Sequence, residues 1–320
     1  MKYSLMSLMV DEQLHHEKVN FILGAILSAV GIQDIPDTAD EAYAMLNQRG
    51  IPMRNGTASF EDLVRFTAEN GFDGLNMMSF QMELSGAEHR AILEKYGVVL
   101  SDANVIVPFS DAENEEAYQA ILADSKTLID QAVEAGAKHI LLVPGGYRRN
   151  PNMTREQTFR AMTRGVNDCL AYAKDKGVPI STETLESTCV PWCSIADMER
   201  IFAVCPDLAY NHDSGNPLVA NEDPMAMLER FGERCVNVHF KDLAYTDDPA
   251  GDRTYRCMDG LYVKLCPLGE GLVDFPAHLR KLKELGYEGY ISLEGGRPAA
   301  TKWDEAKAAL AFFRELEASL

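Results

Sequence analysis

One pattern recurs along this chain: a helical segment ends in glycine, and a short run of apolar and β-branched residues follows. Gly136 precedes the run His139-Ile-Leu-Leu-Val143, and Gly286 precedes Tyr290-Ile-Ser-Leu293. Glycine is favoured just past the end of a helix because the backbone there turns left-handed. Regular alternation of helices with short buried strands is typical of α/β folds. The same junction occurs at Gly71, Gly97 and Gly177.

The spacing of these junctions predicts strands and helices in alternation, the pattern of a (β/α)8 TIM barrel. Capping residues mark helix starts, for example Ser59 with Asp62 and Thr154 with Gln157. One barrel accounts for a chain of this length, so residues 1–320 are predicted to form a single domain. The predicted strands lie near residues 3–9, 73–78, 97–102, 138–143, 178–183, 208–213, 235–240 and 289–294. The predicted helices lie near residues 59–70, 85–95, 114–135, 155–176, 194–204, 222–230, 274–285 and 303–318.

Two segments exceed a minimal barrel. Residues 10–58 form a long insertion after the first strand, with an apolar helix predicted over 19–30 and a second near 38–48. The apolar helix must bury two sides, so this insertion is predicted to be a lid over the barrel mouth or a subunit interface. We expect a homo-oligomer or a complex with a small second subunit. Residues 243–273 form a long loop insertion after the seventh strand.

Charge limits the partners. The net charge is −19 and the pI is about 4.8, whereas nucleic acids and anionic membrane surfaces bind clustered Lys and Arg. We therefore expect neither nucleic acid nor membrane as a partner. The seven cysteines are scattered, which favours reduced thiols, and the N-terminus does not resemble a signal peptide. These features predict a cytoplasmic location.

Charged side chains stand at the ends of four successive predicted strands: Glu183, Asp213, His239 and Glu294. Strand ends converge at one face of a barrel, so these residues are predicted to form one site with three oxygen donors and one nitrogen. A single carboxylate at a strand end is more often solvated or a helix cap, but four in order are unlike a chance arrangement. The donor set predicts one divalent metal, Mn²⁺ first, with Mg²⁺, Co²⁺ or Zn²⁺ as alternatives.

Several of these stretches match a known family. The motifs are Gly177-Val-Pro-Ile-Ser-Thr-Glu183, Asp213-Ser-Gly-Asn216, Val238-His-Phe-Lys-Asp242, Pro267-Leu-Gly-Glu-Gly271 and Gly286-Tyr-Glu-Gly-Tyr-Ile-Ser-Leu-Glu294. From residue 59 onward the chain resembles the xylose-isomerase-like TIM barrels, the sugar phosphate isomerase/epimerase or AP-endonuclease-2 superfamily. The resemblance implies that Glu183, Asp213, His239 and Glu294 bind the metal. It also implies that Glu183 and Glu294 serve as catalytic acid and base.

Three further residues are predicted to contact the substrate: Asn216 and Lys241 lie within matching motifs, and Arg297 follows a glycine pair that could bind phosphate. Gly145-Gly-Tyr-Arg-Arg149 has the same character, although both segments could equally be tight turns. Asp242 either orients a ligand or caps the loop that follows. His212 is expected to be packed away from the barrel interior, and His15-His16 would reach the site only if the first insertion folds over it.

The sequence departs from two branches of the superfamily. The DNA-repair branch and the free-ketose 3-epimerases carry His three residues after the metal Asp, where this chain has Asn216. The epimerases also carry Arg six residues after the metal His, where this chain has Tyr245. Together with the acidic charge, these differences disfavour an endonuclease and leave the mode of sugar binding open.

The resemblance implies a metal-dependent isomerase or epimerase of a keto-sugar or sugar-like substrate, acting by proton transfer through a metal-stabilised enediolate. The alternative is a lyase on the same scaffold, either a keto-inositol-type dehydratase or the catalytic subunit of a C-glycoside deglycosidase. The second alternative is a non-catalytic sugar-binding or assembly subunit.

Overall fold

The computed structural model describes residues 1–19, 23–24, 26–27, 30–32, 34–51, 53–145, 150–251 and 253–320. Parallel strands close a barrel in the order β1-β11-β7-β6-β5-β4-β3-β2, which confirms the predicted (β/α)8 fold. The strands are β1 Lys2–Met6, β2 Gly74–Met78, β3 Leu100–Ile106, β4 Ile140–Val143, β5 Ile180–Thr182, β6 Ala209–Asp213, β7 Cys235–Phe240, β8 Leu243–Tyr245, β9 Thr254–Arg256, β10 Tyr262–Leu265 and β11 Tyr290–Leu293.

Helices cover the outside of the barrel and lie within a few residues of their predicted bounds. They are α1 Ala39–Gln48, α2 Phe60–Glu69, α3 Gly86–Tyr96, α4 Glu115–Ala135, α5 Arg155–Ala173, α6 Ile195–Val204, α7 Pro224–Phe231, α8 Phe275–Glu284 and α9 Lys302–Ala318. Their inward faces pack on the strands around fully buried side chains such as Tyr210, Phe240 and Phe313. This burial of apolar surface is the main force that holds the barrel closed.

The glycines of the recurring junction all adopt the left-handed conformation that the pattern predicts. Their φ angles lie between 66° and 89° at Gly71, Gly97, Gly136, Gly177 and Gly286. The predicted capping boxes at Ser59 and Thr154 are also present. Five of the eight barrel strands therefore begin shortly after a defined helix end, which positions their opposite ends at the mouth of the barrel.

The first insertion forms a small structure of its own. The first strand ends at Met6, earlier than predicted, because a 3-10 helix follows over Ser7–Gln13. The predicted helix over 19–30 lies partly outside the described residues, whereas the second predicted helix is α1. A separate apolar core forms from buried side chains of this insertion, namely Leu23, Leu27, Ile32, Ala39, Ala42 and Leu46.

The second insertion is not a simple loop, which corrects the prediction for residues 243–273. It contains the antiparallel sheet β8-β10-β9. Val263 packs with Leu243 in a local core. The cysteines are unpaired, and the described helices include none that is long and apolar enough to cross a bilayer.

Candidate metal centre and active site

The structure brings the predicted strand-end residues together at the mouth of the barrel. Asp213 is the last residue of β6, His239 lies near the end of β7, and Glu183 and Glu294 directly follow β5 and β11. These strands are consecutive neighbours in the barrel. Asp213 and His239 are fully buried, while the side chains of Glu183 and Glu294 retain 9% and 12% of their exposure. The two glutamates are therefore the members of the set that a substrate can reach.

Three of these residues converge most tightly. One ligand atom each from Glu183, Asp213 and His239 lies within 4.8 Å of the other two, a spacing that could hold a metal ion. Glu294 is adjacent rather than equivalent: its Oε2 lies 3.5 Å from Nδ1 of His239, but its Oε1 accepts a hydrogen bond from Lys241 at 2.6 Å. Three candidate metal ligands thus lie close together, and the carboxylate of Glu294 lies beside them as a fourth candidate.

Asp213 presents one oxygen to the protein and the other to the site. Its Oδ1 accepts hydrogen bonds from the backbone N–H groups of Gly215 at 2.8 Å and Asn216 at 2.7 Å. Its Oδ2 is buried and has no hydrogen-bond partner among the described residues. A buried carboxylate oxygen without a donor is costly, and a cation relieves that cost.

His239 is held between carboxylates on both sides of its ring. Nε2 lies 3.4 Å from Oδ2 of Asp102, and Nδ1 lies 3.2 Å from Oε2 of Glu183. A carboxylate at Nε2 draws the ring proton to that nitrogen, so a neutral imidazole directs its Nδ1 lone pair at Glu183 and Glu294. That arrangement is stable only when a cation, either a proton or a metal, lies between these groups.

Asp102 belongs to this centre, although the sequence analysis does not predict it as a site residue. The predicted third strand ends at residue 102, but β3 continues to Ile106, and Asp102 is completely buried inside the barrel. It lies 3.1 Å from Nε2 of His139 and accepts hydrogen bonds from Asn76 at 3.1 Å and Asn237 at 3.3 Å. The available signal was an acidic residue within a strand of mixed polar and apolar residues, because a charge buried by such a strand needs partners.

Negative charge exceeds positive charge in this centre. In the described part of the chain, one lysine, Lys241, lies among the five acidic residues Asp102, Glu183, Glu186, Asp213 and Glu294. Burial raises the pKa of Glu183 and, further, that of Asp213. Burial alone would also raise the pKa of Glu294, but Lys241 and His239 outweigh it and lower that pKa to about 2. The residues fit a divalent cation, which would balance the surplus and supply the missing partners.

Lys241 and Asn216 are hydrogen-bonded to each other beside the acidic residues. The Lys241 ammonium, 3% exposed, donates to Glu294 at 2.6 Å, to Glu186 at 3.1 Å and to Oδ1 of Asn216 at 3.0 Å. The Asn216 amide donates to the carbonyl oxygen of Thr184 at 2.6 Å. Both predicted substrate residues therefore lie at the site, but the polar groups of Asn216 already have protein partners.

The remaining candidates are farther from the centre. Arg297 donates to the carbonyl oxygen of Leu268, lies 3.5 Å from Glu270, and stacks over Phe312 at 4.4 Å. The arginines of the Gly145–Arg149 segment lie outside the described residues. Asp242 accepts three backbone hydrogen bonds, from Gly269, Gly271 and Val273, so it caps the loop that follows β7, one of its two predicted roles.

The two predicted peripheral histidines have structural partners. His212 is fully buried and stacks on His278 with ring centroids 5.3 Å apart, as expected for a packed residue. His16 lies 3.2 Å from Asp11 and 3.4 Å from Glu83. This pairing attaches the first insertion to the segment after β2 rather than bringing His16 into the metal centre.

Comparison with known proteins places these features in a family. Residues 64–316 match the family described as xylose isomerase-like TIM barrel. The rhizopine catabolism protein MocC of Rhizobium meliloti is 24% identical over 262 residues, which are 76% of this chain and 77% of that protein. Curated relatives named inosose isomerase, inosose dehydratase and fructoselysine 3-epimerase, from Bacillus velezensis, Geobacillus kaustophilus and Shigella flexneri, are 23–24% identical. The matches cover 66%, 72% and 84% of those proteins and 61%, 66% and 73% of this chain.

Solved structures agree on the fold. The probable 3-DHS dehydratase AsbF of Bacillus anthracis superimposes with a TM-score of 0.67 at 16% identity, covering 98% of this chain and 99% of that chain. A structure described as IOLI protein with a binding zinc atom gives a TM-score of 0.66 at 16% identity, covering 82% of this chain and 94% of that one. Identities this low establish the fold but not the reaction, which has to be inferred from the site.

Proposed function

Because this chain belongs to the xylose isomerase-like TIM barrel family, we propose that it is a metal-dependent isomerase or epimerase of a keto-sugar or sugar-like substrate. The observation that carries the proposal is the pair Glu183 and Glu294, which flank Nδ1 of His239 at 3.2 and 3.5 Å. Two partly accessible carboxylates on either side of one position can remove a proton from a carbon and return one to it.

The proposed ligands of one divalent cation are Glu183, Asp213, His239 and Glu294. Oδ2 of Asp213 and Nδ1 of His239 have no hydrogen-bond partner among the described residues, which supports this assignment, as does the spacing of the first three residues. The oxygen-rich donor set favours Mn²⁺, Mg²⁺ or Co²⁺, and the zinc-bound neighbour makes Zn²⁺ a further candidate. When bound, the cation would polarise a carbonyl and make the adjacent C–H bond more acidic.

Lys241 and the two glutamates have different proposed roles in proton transfer. Lys241 donates to Glu294 at 2.6 Å, which keeps that carboxylate ionised and therefore able to accept a proton. Burial raises the pKa of Glu183, which makes it the carboxylate that more readily carries a proton, although as a metal ligand it would bind the cation in its ionised form. Environments that push two carboxylates apart in pKa are typical of acid–base pairs.

A dehydratase is the second candidate function. Relatives named inosose dehydratase match this chain as well as the isomerases and epimerases do. Removal of a proton next to a carbonyl by Glu294 also begins an elimination, and Glu183 could then protonate a departing hydroxyl. The same two residues therefore serve both reactions, and the substituent on the neighbouring carbon decides between them.

Deuterium exchange tests the proposal directly. The purified chain with added Mn²⁺ is incubated in D₂O with a panel of ketohexoses and keto-inositols, and NMR follows the carbon-bound protons. Incorporation of deuterium with a new isomer or epimer supports the proposed function, and loss of water supports the dehydratase. Neither reaction across the panel, combined with measurable sugar binding, would support a non-catalytic sugar-binding protein. Glu294→Gln is the test variant, and Glu284→Gln, on the exposed side of α8, is the matched control.

A further inference from the structure

A cavity of about 750 Å³ opens beside Glu294. Its walls come from three parts of the chain: the first insertion with the turn after β1, the second insertion, and the loop that follows β11 together with the first turn of α9. None of the three tightly spaced metal-ligand candidates lines it, so the cavity adjoins the metal centre through Glu294 alone. Whatever occupies it is held next to the reacting position rather than in it.

Apolar side chains line one part of this cavity, and charged side chains line the rest. The described apolar lining includes Leu8 and Met9 from the turn after β1, Leu23, Tyr43 and Met53 from the first insertion, and Leu265 from the second. The charged lining residues balance, with four cationic and four acidic side chains. Two of them neutralise each other directly, because Lys302 lies 3.1 Å from Glu305. No net charge therefore selects an ionic ligand, whereas apolar surface next to a polar centre favours an amphipathic one.

The volume exceeds what a sugar needs. A hexose has about twelve non-hydrogen atoms and would fill at most about 360 Å³, even if each atom took the space of a water molecule in the liquid. The cavity is roughly twice that size and contacts the metal centre at Glu294. A free sugar would leave the apolar walls in contact with water, and this contact is unfavourable.

The first insertion is built to supply these walls. Its buried side chains, among them Leu27 and Leu46, form a separate core, whereas Leu23, Tyr43 and Met53 also reach the cavity. We propose that the cavity binds an apolar, ring-sized substituent of the substrate, so that the substrates are keto-sugars linked to an apolar aglycone. This inference rests on the proposed function, because the sugar portion must occupy the metal centre.

Binding of inert glycosides tests the inference separately from catalysis. Phenyl β-D-glucoside and methyl β-D-glucoside carry no carbonyl and cannot react by proton abstraction next to one. Calorimetric titration of the full chain with each probe gives their affinities. We expect the phenyl glucoside to bind at least tenfold more tightly than the methyl glucoside. Met53→Ser and Leu265→Ser should reduce that ratio several-fold, while Met258→Ser, an exposed position on the second insertion, should leave it unchanged.

The outcomes separate the two proposals. Equal affinities for the two probes, or no measurable binding of the phenyl glucoside, overturn the inference whatever the exchange experiment shows. A preference for 4-carboxyphenyl β-D-glucoside over the phenyl compound also overturns it, because the exposed arginines would then select an anion. A phenyl preference without deuterium exchange in any keto-sugar retains the apolar cavity and overturns the proposed reaction.

Discussion

Oδ2 of Asp102 lies 3.4 Å from Nε2 of His239, on the opposite side of the imidazole from Glu183. This contact orients the ring and favours a proton on Nε2. Asp102→Asn keeps the size of the side chain but removes the charge that holds the proton on Nε2. Loss of such a partner typically weakens metal affinity by about 10–100-fold, and titration of the metal-free protein with Mn²⁺ measures it. Unchanged affinity would show that Asp102 only fills the barrel.

A matched surface control accompanies that test. Asp130 is likewise a carboxylate with close partners. It lies 2.6 Å from the Lys176 ammonium and accepts a hydrogen bond from the Tyr172 hydroxyl at 2.6 Å, but half of its side chain is exposed. Asp130→Asn should leave metal affinity unchanged. If both variants lose affinity equally, then the effect reflects a general loss of stability rather than the contact with His239.

Metal content is the second prediction. Elemental analysis of the purified chain should find about one divalent ion per molecule, removable by a chelator together with activity. Asp213→Asn preserves an oxygen acceptor for the N–H groups of Gly215 and Asn216 but lowers the negative charge at Oδ2. We expect weaker metal binding and recovery of turnover at high metal concentration. A chelated protein with full activity would contradict the metal assignment.

Glu294→Gln tests proton transfer. The amide can still contact Lys241, but it cannot accept a proton from carbon. Turnover should fall by roughly a hundredfold or more, the usual scale for a positioned acid–base group, while Mn²⁺ still binds through the other three residues. Near-normal turnover with metal bound would remove Glu294 from the mechanism. The result should be compared with Glu183→Gln, for which we expect a loss of metal affinity as well.

Much of the fold could be predicted because the signals are local. A left-handed glycine just past a helix, as at Gly136 and Gly286, and a capping box such as Ser59 with Asp62 depend on a few adjacent residues. The strand-end positions of Asp213 and His239 followed from the same periodicity. Their convergence required only the general rule that strand ends of a barrel meet at one face.

The features that the sequence did not predict depend on contacts between residues that are far apart in the chain. Nothing adjacent to Asp102 in the sequence indicates that Asn237 and His239 are its partners, since the three meet only when the barrel closes. The hydrogen bonds of Asn216 with Lys241 and Thr184 likewise join residues that are far apart in the sequence. The sheet of the second insertion was overlooked because its strands, such as Thr254–Arg256, are short and only partly buried.

His16 predicts how stability depends on pH. Burial lowers the pKa of His16, but Asp11 and Glu83 outweigh it and raise the pKa to about 9, from an ordinary value near 6.5. A raised pKa means that the protonated ring stabilises the folded state fully below pH 6.5 and progressively less as the pH rises through 9. The free energy of unfolding should therefore fall by up to about 3 kcal/mol over that range.

Denaturant titrations at pH 6 and pH 9.5 measure this change. His16→Gln should be less stable than the unmodified chain at pH 6 and nearly equal to it at pH 9.5. His15→Gln alters a neighbouring exposed histidine and should retain the original pH dependence. A constant difference between His16→Gln and the unmodified chain at both pH values would show that charge on His16 contributes nothing.

Removal of the first insertion separates its predicted roles as lid and interface. The two ends of the insertion meet at the barrel: His15 donates its N–H to the carbonyl oxygen of Ala58 at 2.8 Å, and Gly56 donates to Leu14 at 3.1 Å. Replacement of residues 17–54 by Gly-Ser-Gly therefore closes the chain without disturbing these contacts. The apolar core of the insertion is separate from that of the barrel, so we expect the barrel to fold, as judged by circular dichroism and a cooperative melting transition.

The shortened chain should lose both activity and assembly. It lacks Leu23, Tyr43 and Met53, which form one wall of the cavity beside Glu294, so water enters and an apolar substituent is no longer held. Light scattering should show an oligomer for the full chain at micromolar concentration and a monomer for the shortened one. A monodisperse full-length monomer would refute the interface while leaving the lid intact. Conversely, unchanged turnover by the shortened chain would refute the lid, because Glu183 and Glu294 would then work without the covering that the insertion provides.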